Sequence, residues 1–115
     1  KIKDNIAGLV IGDRAFIQRK KSKYIYDLGA AWKKFTGLPF VFAAWVANKK
    51  LPDSFISDFN TASGEGFKHI PEILNANPCE HYNLGKYFSE NISFVFDNEK
   101  RKGLKEFLKK SEIKM

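Results

Sequence analysis

Asp13, His69, Cys79 and His81 are the side chains whose types could serve proton transfer or nucleophilic attack, and of these only the placement of Asp13 is suggestive. Asp13 follows the apolar run Ala7-Gly-Leu-Val-Ile11 and Gly12, at what reads as the carboxyl end of a strand, where open α/β sheets bind their ligands. A carboxylate there can engage a hydroxyl or take up a proton. The same position also predicts Asp13 as the N-cap of a short helix over residues 14–19, accepting its first orphan N–H groups. His69 and His81 are the only histidines and fall in the helical second half; His69 has the chemistry of a general base, but a helix-end histidine is usually solvated. Cys79 follows Asn77-Pro78 in a turn with no base beside it in sequence, and reads as a bystander thiol. The chain has no phosphate-cradling glycine loop, no zinc-protease helix, no paired cysteines and no nucleophile elbow, so its motifs call for neither metal nor cofactor.

The elements that must position these groups are read from the apolar pattern. Residues 27–47 carry the clearest signal: a helix over Leu28–Phe35, a stop at Gly37, the Gly37-Leu38-Pro39 elbow, and an almost wholly apolar run from Phe40 to Ala47. Asp27 is the expected N-cap, Gly37 the left-handed residue past the helix end, and Pro39 the block to continuation. Leu28, Trp32 and Phe35 predict the helix's buried stripe. An extended run apolar at every position is expected inside a sheet covered on both faces. Tyr24–Tyr26 reads as a brief strand. Helices are predicted from Pro52-Asp53 through Ser63, after Pro71, around Leu84–Ile92, and after an Asp97 cap, with Leu104, Phe107 and Leu108 inward. The spacing leaves Ile92–Phe96 open between strand and helix tail.

Composition bounds the classes. One domain is expected for 115 residues, and eleven Phe point to a well-filled core. The net charge of +7 comes mainly from lysines scattered in pairs (Lys20-Lys21, Lys33-Lys34, Lys49-Lys50, Lys109-Lys110). No helix carries a continuous basic face, so nucleic acid is not an expected partner. The longest apolar run, Leu38–Ala47, is too short to span a bilayer, and no secretory leader is visible. A single cysteine excludes an internal disulfide and fits a reducing compartment. The order strand–helix–strand–helix–strand followed by helices predicts an incomplete α/β unit of about three strands and five helices, opening on a core strand as a fragment of a longer chain does.

Leu9-Val-Ile-Gly-Asp13 and Asp27-Leu-Gly…Trp32…Thr36-Gly-Leu-Pro-Phe-Val-Phe-Ala43-Ala-Trp45 together resemble the chorismate dehydratases of the futalosine route to menaquinone. The resemblance runs more loosely from Ala7 to Leu108. It implies the C-terminal portion of a two-lobed fold like that of type II periplasmic binding proteins. Residues 1–38 would be the end of the second lobe and the hinge, and residues 39–115 the return into the first lobe with the C-terminal helices. It implies a cytoplasmic lyase that acts on a small dicarboxylate without cofactor or metal, as monomer or homodimer, with no membrane or nucleic-acid partner and no activity as this part alone. Gly12, Asp13, Leu38, Pro39 and Phe40 are the cleft residues it points to; the catalytic residues are expected mostly upstream. A non-catalytic solute-binding protein of the same fold, or a sibling enzyme acting on a nucleoside-derived substrate, are the alternative readings.

Overall fold

The computed structural model describes residues 6–112. Its order is α1 (Asp13–Arg19), α2 (Leu28–Thr36), α3 (Asp53–Glu65), a 3-10 turn (Gly66–His69), α4 (Ile70–Ala76), α5 (Leu84–Lys86) running into a π turn (Tyr87–Asn91), and α6 (Asn98–Lys110). The expected α/β unit is corrected here: among the described residues there is no strand and no sheet. The runs 7–11, 24–26 and 40–47 belong to no ladder, and Leu9, Phe42 and Trp45 are 77%, 73% and 86% exposed. Apolar, β-branched sequence favours an extended backbone, but a strand exists only when a second segment takes up its N–H and C=O groups. The expected well-filled core is corrected as well, since among the described residues Gly103 alone is buried. The radius of gyration, 17.2 Å, exceeds the roughly 13 Å of a compact 100-residue domain.

What packing there is centres on the elbow. Asp27 Oδ1 accepts the Ala30 amide at 2.9 Å and starts α2 as expected. Gly37, at φ 74°, ends it by donating its N–H to the Lys33 carbonyl. The inward face is Gly29, Trp32 and Thr36; of the predicted stripe Trp32 alone is inward, since Leu28 and Phe35 point outward at 61% and 73% exposure. Thr36 Oγ1 donates to the Trp32 carbonyl and accepts the Leu38 amide, so the chain leaves the helix along a fixed path. Trp32, Phe40 and Phe107 then meet edge to face, with ring centroids 5.0–5.9 Å apart. Leu104, Phe107 and Leu108 form the half-buried side of α6, as their spacing predicts. Gly103 lies directly under the Pro39 carbonyl, where any Cβ would collide with that oxygen.

Asp97 caps α6, its Oδ1 accepting the Lys100 amide at 2.8 Å. Lys100 Nζ reaches back to Ser93 Oγ, the Val95 carbonyl and Asp97 Oδ2, using all three ammonium hydrogens to bind residues 93–97 to the helix start. That segment is neither helix nor part of a sheet ladder among the described residues, so it is not the helix tail.

Gly103→Ala gains about 1 kcal/mol of helix propensity but forces α6 off the Pro39 backbone, a clash of about 1–3 kcal/mol, so the net effect is destabilising. The measurements are a lower thermal midpoint and a red shift in tryptophan emission; Trp45 is already exposed, so the shift reports Trp32. The capping hydrogen bond from the Lys100 amide, with the Lys100 ammonium beside it, holds the Asp97 carboxyl below its ordinary 3.8. A depressed carboxyl stabilises the fold above its unfolded value and loses that contribution as pH falls through the folded one. Acidification from pH 5 to below 3.8 should therefore lower the protection factor of the Lys100 amide, its exchange measured against the unstructured rate at the same pH, and Asp97→Ala should remove that fall in protection.

Candidate functional site

Gly12 turns the chain into α1 at φ 65°, ψ −154°, a region open to glycine and not to residues with a Cβ. Its carbonyl accepts the Ala15 amide at 2.9 Å, making Gly12 the residue before the helix and Asp13 the first residue within it. The predicted Asp13 cap is therefore corrected: an N-cap carboxylate needs extended backbone one place earlier, and Asp13 accepts none of the α1 amide hydrogens. Its carboxylate is left for the surroundings.

Those surroundings come from the far end of the sequence. Phe16 stacks on Tyr82, centroids 4.8 Å apart and planes 10° from parallel, and meets Tyr87 edge-on at 5.4 Å. Lys20 Nζ donates to the Glu80 carbonyl at 3.2 Å. These contacts hold α1 against residues 77–84 and enclose a recess of about 230 Å³. Phe16, Ile17, Pro78 and Leu84 give it apolar walls, while Asp13, Asn77, Cys79 and His81 bring a carboxylate, an amide, a thiol and an imidazole. Asn77 Nδ2 is committed to the Ile73 carbonyl at 2.9 Å, leaving its Oδ1 as an acceptor. Cys79 is half-buried and His81 exposed at the rim. Among the described residues no three His, Cys, Asp or Glu side chains are grouped to hold a metal ion. The arrangement offers hydrogen-bonding groups on one side and apolar contact on the other.

The expected cleft residues fall in two places. Gly12 and Asp13 sit at or beside the recess, but Leu38, Pro39 and Phe40 are not among its lining residues. They are half-buried and packed toward Trp32 and α6. His69 is elsewhere too, its Nδ1 3.0 Å from Glu72 Oε2 in an exposed helical pair. Cys79 reads from the sequence as a bystander thiol and His81 as a histidine without a role, and the structure brings both, with Asn77, to the recess. The distance along the chain hides them; only the aromatic pair Phe16 and Tyr82 hints that the two segments meet.

A second depression, about 280 Å³ and lined by Gly66, Phe67, Ile70, Ile73, Phe88 and Phe94, offers almost no polar atom and hence no chemistry. No helix among the described residues is long and apolar enough to cross a membrane. A family model described as menaquinone biosynthesis matches residues 1–112. No solved structure matches the chain significantly.

If the Phe16–Tyr82 stack closes the recess, Phe16→Ala should open it. The expected result is faster modification of Cys79, the single thiol, by a disulfide reagent, by several-fold, with helix content by circular dichroism unchanged.

Proposed function

This chain belongs to the menaquinone-biosynthesis family, and from that membership we propose that it takes part in the dehydration of chorismate to 3-[(1-carboxyvinyl)oxy]benzoate. The carrying observation is that the family match spans nearly the whole chain, including both Leu9–Asp13 and the Asp27–Trp45 run whose residues resemble the chorismate dehydratases. The reaction breaks the ring C–H at the ether-bearing carbon and the adjacent C–OH bond. The proton and the hydroxide leave together as water, and the electron pair left on the ring becomes the last aromatic double bond. Aromatisation supplies the driving force. The protein's work is to orient the ring, keep solvent away and meet the developing charge.

Asp13 is the group we assign to the substrate. An ionised carboxylate facing a dianion repels it unless it meets the one part of the molecule that donates a hydrogen bond. The ring hydroxyl is that part, so Asp13 accepts from it and fixes the bond that will break. The chain does this as one part of a larger folded unit. The exposure of Leu9, Phe42 and Trp45 supports that reading, as does the Trp32 indole N–H, which is buried without a partner among the described residues. Such an orphan donor costs about 1–3 kcal/mol unless an acceptor reaches it. A free thiol and a small polar substrate fit action in the cytoplasm.

The test is to incubate the intact protein with chorismate and follow the loss of one water by mass. Product formation is expected, and Asp13→Asn should lower kcat/KM about 10- to 100-fold, the scale of one charge-assisted hydrogen bond. A folded protein that binds an unrelated solute and leaves chorismate unchanged would overturn the proposal.

A further inference from the structure

We infer that His81 is a ligand-positioning residue of the Asp13 recess, its imidazole N–H donating to a ring carboxylate while Asp13 accepts from a ring hydroxyl. The inference rests on the assignment of Asp13 to the substrate given above and extends it to a residue 68 positions away, to which no role has been attached.

The chemistry of the walls leads to it. A recess of about 230 Å³ holds one six-membered ring with small substituents, below the range of pockets for drug-sized ligands. Phe16, Ile17, Pro78 and Leu84 match the ring's faces. The polar lining groups divide by what they can offer. Asp13 accepts; Asn77 has one amide hydrogen committed to Ile73, keeps the other, and accepts through Oδ1; the Cys79 thiol is a weak donor. A carboxylate needs a donor, and the lining offers the second Asn77 amide hydrogen and the His81 imidazole, whose ring makes no hydrogen bond among the described residues. Its exposed position at the rim lets it meet a charged substituent that stays close to water, where burial costs least. The recess therefore selects a hydroxylated ring carboxylic acid, with the hydroxyl toward Asp13 and the carboxylate toward His81.

Cys79, the only thiol in the chain, reports occupancy directly. In the intact protein, chorismate or 3-hydroxybenzoate should slow modification of Cys79 by a disulfide reagent at least threefold, while cyclohexanol, which lacks the carboxylate, should not. His81→Leu should raise KM, or weaken 3-hydroxybenzoate binding, about five- to tenfold with kcat nearly unchanged, and His81→Gln, which keeps an N–H donor, should recover most of that loss. Turnover with unprotected Cys79 would place the ligand elsewhere and overturn the inference, as would a His81→Leu variant with unaltered KM and protection. Protection by 3-hydroxybenzoate without turnover would support the recess and sink the dehydration reading instead.

Discussion

The carbonyl of Pro39 rests against Gly103 where a side chain would otherwise stand, and the packing of the elbow on α6 depends on that space. Because no side chain intervenes, the elbow comes close enough for Phe40 to reach Trp32 and Phe107, and the three rings interlock edge to face. Gly29 makes the same allowance on α2, where a Cβ would press on the Phe42 ring. Glycine thus appears on two helices as a seat for another segment. The cost in helix propensity at each seat is about 1 kcal/mol, less than the gain from ordering aromatic rings against one another.

Local chemistry was readable from the sequence and pairing was not. Asp27 and Asp97 cap their helices as their positions foretell, and Gly37 takes the left-handed turn, because each outcome is decided within three or four residues. Of the two outcomes open for Pro71, a break or a new segment, the structure shows the second, with Pro71 in the first turn of α4 after Ile70. The runs 7–11 and 40–47 show the opposite case: their composition specifies extension, but a ladder depends on a partner that neighbouring residues cannot supply. Asp13 shows how narrow the margin is. A glycine at φ 65° shifts the helix start by one place, and a carboxylate expected to serve the backbone is set free.

The recess was illegible for a different reason. Its two walls are separated by some sixty residues, and the groups on the far wall carry no motif. Cys79 and His81 reach the same place as Asp13 only where Phe16 stacks on Tyr82 and α1 lies against residues 77–84. The resemblance to an enzyme family pointed to Gly12 and Asp13 together with Leu38, Pro39 and Phe40. The fold gives these two groups different surroundings, one around a polar-edged hollow and one in an aromatic wedge.

The bare stretch from Phe40 to Ala47 has a cost for handling the polypeptide. It combines aromatic and β-branched residues with no charge and no proline, the composition that promotes stacking between chains into insoluble aggregates. Lys33-Lys34 and Lys49-Lys50 bracket it in sequence, and like charges so placed oppose the approach of a second copy. Lys33 and Lys34 also stand in the last turn of α2, where positive charge favours the helix end, so the same pair serves the fold and keeps copies apart.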